Sequence, residues 1–139
     1  MARSAPSASA VLVIAGLGVF LAALDQTVVV TALPGVMGDI GIPVTQLDRA
    51  SWIVTGYLLG YTVAMPLMGR IADAYGYTRV YQLSLLLFAL GSLLVAVASS
   101  LSWIVGARVL QAVGGGATIP IAMAIATKAL PQHRRGLAL

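Results

Sequence analysis

The sequence predicts an all-α membrane protein with four transmembrane helices, and three observations support this. The 139 residues are 60% hydrophobic and only 9% charged, whereas soluble domains are typically about 25% charged. The apolar residues fall into four runs, each near the roughly 20 residues that a helix needs to cross a bilayer core. None of the runs alternates with the period of two that marks a transmembrane β-strand. Helices in lipid are therefore expected.

Polar and helix-breaking stretches delimit the four predicted spans. We expect them at residues 10–33, 52–68, 80–98 and 103–130. Residues 1–9 are predicted to be a short cytoplasmic N-terminus, and residues 131–139 the cytoplasmic start of a next loop or span, so that the chain is a truncated fragment. A cleaved signal peptide is the alternative for the first run. Its apolar core is typically about 7–15 residues, however, and here the run resumes after Asp25.

The basic residues predict the orientation, because cytoplasmic loops of membrane proteins carry an excess of Lys and Arg. With the N-terminus inside, Arg49 is the one loop residue of this kind left outside. Six others fall on the cytoplasmic side: Arg3, Arg70, Arg79, Lys128, Arg134 and Arg135. We therefore expect a multi-pass protein of the cell membrane (plasma or inner membrane) with a cytoplasmic N-terminus.

Composition also argues against several classes of function. The chain has no cysteine and a single histidine, so a disulfide, a thiol nucleophile or a zinc cluster is not expected. Its formal charge of +4 is spread over short loops, whereas nucleic-acid binding needs a contiguous basic stripe. We predict no enzyme, no catalytic residue, no metal site and no nucleic-acid partner.

Two charged residues lie inside predicted spans. Asp25 follows the start of the first span by 15 residues, or about 22 Å of helix. Arg108 lies 5 residues below the outer start of the fourth span, which also places it about 22 Å up in a 30 Å core. A charge in lipid normally finds a partner or a cavity. The two are thus predicted to pair, either as a proton-exchanging site or as a structural pair that orients two helices.

Small residues mark predicted helix contacts, because they let helix backbones approach closely in membranes. In the second span Gly56, Gly60 and Ala64 recur every four residues, and we expect plain close packing there. The fourth span has a glycine cluster ahead of a proline, where a functional bend or contact is predicted. These residues are Gly114, Gly115, Gly116 and Pro120.

The stretch GRIADAYGYTR, residues 69–79, is predicted to be a short cytoplasmic loop. Gly69 and Gly76 would permit tight turns. Asp73 could accept hydrogen bonds from a helix N-terminus or pair with an arginine such as Arg79. The pattern favours a clamp between helix ends.

These stretches together resemble the N-terminal part of a major facilitator superfamily transporter, and most of all its fourteen-span drug:proton antiporter branch. GRIADAYGYTR is similar to the family's signature loop between spans two and three, with Gly69, Asp73, Gly76 and Arg79 matching. It departs at Ala74, Tyr77 and Thr78, where family members are often basic. Three further motifs match in order: LDQTVVVTALP in the first span, SWIVTGYLLG in the second, and ARVLQAVGGGA in the fourth, which includes Arg108 and Gln111.

The resemblance implies four helices of a major-facilitator N-terminal six-helix half. Such secondary transporters rock two halves about a central cavity, which here implies proton-coupled efflux of drug-like or other amphipathic small molecules. Asp25, Arg108 and Gln111 would form the proton- or substrate-coupling site, and Asp73 and Arg79 would lock the cytoplasmic ends. The implied partners are the lipid bilayer, a small-molecule substrate and the missing remainder of the transporter. A proton gradient would supply the energy, with no cofactor.

Two other classes of function stay open from the residues alone. A four-helix protein of this size could pair with itself as a small multidrug carrier, or it could be a non-transporting membrane scaffold. The coding sequence downstream of Leu139 would separate these possibilities.

Overall fold

The computed structural model describes residues 8–129 and confirms the all-α prediction for them. Its helices are α1 (Ala8–Asp39), α2 (Leu47–Ala50), α3 (Trp52–Tyr75), α4 (Tyr77–Ala96) and α5 (Leu101–Ala129), with a 3-10 turn at Val44–Gln46. Four of them, α1, α3, α4 and α5, are long and apolar enough to cross a membrane. Most of the predicted N-terminal segment 1–9 and all of segment 131–139 lie outside the described residues, and so do Arg3, Arg134 and Arg135.

The helices extend further into the predicted linkers than expected. Helix α1 continues through Pro34 to Asp39, six residues beyond the predicted end. A proline interrupts one backbone hydrogen bond, but membrane helices tolerate this where the freed groups find other partners. Short helical segments at Val44–Gln46 and Leu47–Ala50 then fill much of the remaining connection to α3.

The prediction of a loop over residues 69–79 is wrong for most of its length. Helix α3 runs to Tyr75 and α4 begins at Tyr77, so only Gly76 separates them. Gly76 has φ +96°, a conformation that strongly favours glycine, and its N–H donates to the carbonyl of Ala72 at 2.9 Å. Gly69 lies inside α3 with open space around it, so it makes no turn. The polar residues of stretch 69–79 therefore belong to helices α3 and α4 and do not form a loop.

Helix α5 is the most buried of the long helices and packs between α3 and α4. Glycine makes this close packing possible. A Cβ on Gly114 would lie 2.4 Å from the carbonyl oxygen of Ser84 on α4, and one on Gly116 would lie 2.6 Å from that of Tyr61 on α3. The glycine cluster is therefore a contact, and α5 continues as one helix through Pro120.

Small side chains dominate the interior, as is usual where helices pack in lipid. Alanines make up more than half of the buried apolar residues that the structure describes. The predicted stripe on α3 faces α5, where a Cβ on Gly60 would meet Ala112 at 3.0 Å and one on Gly56 would meet Val105 at 3.3 Å. Large apolar side chains cover the outer faces of the long helices, as expected for surfaces in contact with lipid.

Helix α1 is fixed to α4 by a polar contact near its start. The Tyr81 hydroxyl lies 2.9 Å from the carbonyl oxygen of Ala15 and 3.1 Å from that of Ile14. Gly18 leaves the space for that hydroxyl, because a Cβ there would clash with it. The beginnings of α1 and α4 thus lie side by side, as an up-and-down arrangement of successive spans requires.

Candidate functional site

An ion pair joins α1 to α5 inside the bundle. Nη1 of Arg108 lies 2.5 Å from Oδ2 of Asp25. Arg108 is 2% exposed and Asp25 is 21% exposed, so the pair is largely withdrawn from the surroundings. The structure thus brings together the two charges that the sequence placed at the same depth. A charge held in a membrane bundle without such a partner would be strongly disfavoured.

Gln111 completes the polar cluster. It lies three residues after Arg108, which puts both side chains on one face of α5. Its Oε1 accepts from Nη1 of Arg108 at 2.6 Å, and its Nε2 donates to Oδ1 of Asp25 at 2.9 Å. The same Nε2 lies 2.7 Å from Oγ of Ser92 on α4. The cluster therefore links α1, α4 and α5 through one side-chain amide.

Gly91 allows α4 to come close enough for this contact. A Cβ on Gly91 would lie 2.5 Å from Cβ and 2.6 Å from Cα of Gln111. No real side chain fits in that space, so the absence of one at position 91 brings the next residue, Ser92, within hydrogen-bond reach of the cluster. The sequence pair Gly91–Ser92 thus provides both the close approach of α4 to α5 and the hydrogen bond to Gln111.

Tyr57 of α3 covers the other side of the arginine. The guanidinium carbon of Arg108 lies 4.8 Å from the centre of the Tyr57 ring, a cation–π distance. Tyr57 is 2% exposed, and its hydroxyl reaches Gly115, where a Cβ would lie 2.8 Å away. Neither this hydroxyl nor Nε of Arg108 has a hydrogen-bond partner among the described residues. All four long helices thus contribute to the surroundings of Arg108 and Gln111.

The hydrogen-bond pattern around Asp25 is the one that a carboxylate makes. Both carboxylate oxygens accept, one from Arg108 and one from Gln111. A protonated carboxyl keeps lone pairs that can accept, but it loses the negative charge that strengthens its bonds from Arg108 and Gln111. Proton uptake at Asp25 would therefore change the contacts between α1 and α5.

The gating residues lie elsewhere, at the junction of α3 and α4. The Tyr77 hydroxyl donates to Oδ1 of Asp73 across Gly76. In the part of the chain that the structure describes, Asp73 makes no ion pair with Arg79. The clamp that the sequence predicted between an acid and an arginine is thus replaced here by a tyrosine–aspartate contact. Tyr77 stands at one of the positions where the family pattern is often basic.

Sequence reasoning missed three contributors to the cluster. Ser92 and Gly91 form a small polar pair in the middle of the apolar run LFALGSLLVAV, which was a usable signal. Tyr57 lies within the matched stretch SWIVTGYLLG, but its contact with Arg108 depends on which helix packs against α3. Within residues 8–129 no group of three His, Cys, Asp or Glu side chains could hold a metal ion.

Comparison with known proteins is consistent with this architecture. A triacylglyceride transporter of Mycolicibacterium hassiacum is 45% identical over 124 residues, covering 89% of this chain and 23% of that protein. A probable triacylglyceride transporter of Mycobacterium leprae is 43% identical over 122 residues, covering 86% and 24%. A triacylglyceride transporter of Mycobacteroides abscessus is 40% identical over 123 residues, covering 88% and 24%. The chain thus spans about a quarter of the length of these curated relatives.

The family comparison covers most of the chain. The sequence profile described as Major Facilitator Superfamily matches residues 15–139, which include α3, α4, α5, most of α1 and the whole polar cluster. The narrower drug:proton antiporter branch stays a prediction. The chain belongs to the Major Facilitator Superfamily, a family of membrane transporters rather than enzymes.

Proposed function

We propose that this chain supplies the first four spans of a secondary transporter that moves a lipid-like or other amphipathic molecule in exchange for protons. The observation that carries the proposal is the cluster of Asp25, Arg108 and Gln111, which lies between membrane-spanning helices. Ionisable groups in such a place are expensive and typically serve ion or proton pathways. The whole transporter would work by alternating access between two halves of its bundle.

The hydrogen bonds at the cluster support the proposal of proton coupling. With Asp25 ionised, α1 is held to α5 by two bonds and Gln111 is also held to Ser92 of α4. With Asp25 protonated, both bonds to α5 lose the charge that strengthens them. The protonated state therefore loosens α1 from α5. That change in helix contacts is what a proton-driven conformational cycle needs.

The substrate class is proposed from the relatives and from the apolar character of the helices. The relatives are named triacylglyceride transporters, so a neutral lipid is the first candidate. Drug-like amphipathic molecules are the second, favoured by the first-span stretch LDQTVVVTALP and its resemblance to the drug:proton antiporters. Both classes combine large apolar parts with a few polar atoms.

The setting of the transporter is the plasma or inner membrane, with the N-terminus in the cytoplasm. The excess of Lys and Arg on one side supports this orientation. Arg70 and Arg79 flank the junction of α3 and α4, which would then face the cytoplasm. This junction would help to close the cytoplasmic side of the transporter, through Asp73, Gly76 and Arg79.

The experiment is gradient-driven transport by the intact protein in liposomes. Fluorescent triacylglyceride and an amphipathic dye serve as probes, each with and without an imposed pH gradient. We expect Asp25→Asn to abolish the acceleration by the gradient while exchange of the probe without a gradient continues. Asp48→Asn is the matched control, because Asp48 is exposed and should leave the acceleration unchanged. Gradient-driven transport that survives Asp25→Asn would contradict the proposal.

A further inference from the structure

A small cavity lies beside the polar cluster, between α1, α3 and α5. It has a volume of about 220 Å³ and Arg108 and Tyr57 form its polar wall together with Gln26. The remaining wall is apolar and consists of Val29, Val30, Val54 and Leu58. Pockets for whole drug-sized ligands measure about 300–1,000 Å³. This cavity is therefore of a size for one part of a larger molecule.

Two polar groups on residues that line this cavity lack hydrogen-bond partners among the described residues. The Tyr57 hydroxyl and Nε of Arg108 are both buried and make no hydrogen bond with a described residue. The side chain of Gln26 is close enough to influence the Tyr57 hydroxyl but lacks hydrogen-bond geometry. Buried polar groups are almost always paired, and an exception calls for an explanation. A bound group that pairs with them when the cavity is occupied provides one.

The charge of the cluster indicates what kind of group this is. The guanidinium of Arg108 is already paired with the carboxylate of Asp25, so the cluster needs no second anion. The free Nε is a donor and the tyrosine hydroxyl can donate as well. Apolar side chains form most of the remaining cavity wall. A neutral acceptor oxygen flanked by hydrocarbon fits these surroundings, and a carboxylate or phosphate does not.

We propose that the cavity between α1, α3 and α5 binds a neutral carbonyl oxygen of the transported molecule, such as that of an ester, through the Tyr57 hydroxyl and Nε of Arg108. This rests on the proposed function, since it assigns a subsite within the same transport pathway. Both donor atoms are covered by protein in the present conformation. Contact with the carbonyl therefore requires the α1 wall formed by Gln26, Val29 and Val30 to move away.

The test compares an ester with an ether in the intact protein reconstituted in liposomes. The probes are triolein and the corresponding trioleyl glycerol ether, which lacks the carbonyl oxygens. Tyr57→Phe removes the hydroxyl and keeps the ring over Arg108. We expect the apparent affinity for triolein to fall about 3- to 10-fold, the usual worth of one neutral hydrogen bond, and the affinity for the ether to stay unchanged. Tyr61→Phe is the matched control, because Tyr61 stacks on Tyr57 but does not line the cavity.

Each result bears on the inference. If Tyr57→Phe changes the apparent affinity equally for the ester and the ether, or for neither, the inference is overturned. The hydroxyl would then contribute only to packing or would bind a water molecule. Wild-type protein that moves neither probe in a proton gradient would count against the proposed function itself. If Tyr57→Phe fails to fold, the infrared carbonyl band of ¹³C-labelled triolein bound to the wild-type protein decides. A shift to lower frequency on binding supports the contact, and an unshifted band overturns it.

Discussion

Removing the guanidinium of Arg108 should cost this bundle a large share of its stability. Arg108→Ala deletes the contacts at 2.5 Å to Asp25 and at 2.6 Å to Gln111 and leaves a carboxylate without its counter-charge. Breaking a buried ion pair from one side costs about 3–5 kcal/mol. Asp25 is 21% exposed and keeps its bond from Gln111. We therefore expect the lower end, about 3 kcal/mol.

A double-mutant cycle separates the pair from the surrounding packing. The free energy of unfolding in mixed detergent micelles is measured for Asp25→Ala, Arg108→Ala and the double variant. Because either single change leaves an unpaired charge and the double change leaves none, we expect a coupling energy of about 2–3 kcal/mol. Asp48→Ala in place of Asp25→Ala is the control and should add to Arg108→Ala without coupling. Additivity within about 0.5 kcal/mol for the cluster pair would refute the view that the two charges stabilise each other.

Three further changes test the packing and the topology. Gly91→Ala should destabilise by about 1–3 kcal/mol through overpacking against the α5 backbone, whereas Gly106→Ala, with nothing within 4 Å, should stabilise by up to about 1 kcal/mol; equal unfolding midpoints for the two would contradict this. Gly76→Ala should lower the free energy of unfolding by about 1–3 kcal/mol, because alanine is strained at φ +96°. An unchanged free energy of unfolding would show that the junction relaxes. Cysteine at Gly38 should react with an impermeant reagent on intact cells and cysteine at Ala74 should not, and the reverse pattern would invert the proposed orientation.

The common depth of Asp25 and Arg108 was predictable from sequence because it depends only on helix rise and on where the spans begin. The rise of 1.5 Å per residue is the same in every helix. The first and last long helices each begin two residues before the predicted start, so both depths shift by only about 3 Å. The length of the apolar runs and the helix rise were enough to predict that two charges far apart in the sequence lie at the same depth in the membrane.

The contacts of the cluster with α3 and α4 were not predictable in the same way. Whether Tyr57 faces Arg108 depends on which helix packs against the small-residue stripe of α3, and the stripe predicts a close contact without specifying the neighbour. The stretch 69–79 was predicted as a loop because it is polar. Its side chains instead extend α3 and begin α4, and only Gly76 marks the true break.

The hydrogen-bond count at the cluster explains why a carboxylate stands in the middle of the first span. Arg108 and Gln111 both approach position 25 as donors, one to each oxygen. An asparagine there would offer one acceptor, so one donor would face an amide N–H. An apolar residue would leave Arg108 without a counter-charge inside a membrane bundle. An ionised acid offers each donor a charged acceptor, and an acid can weaken both contacts by taking a proton. The cost of burying Asp25 is thereby tied to a change in helix contacts that no neutral side chain could produce.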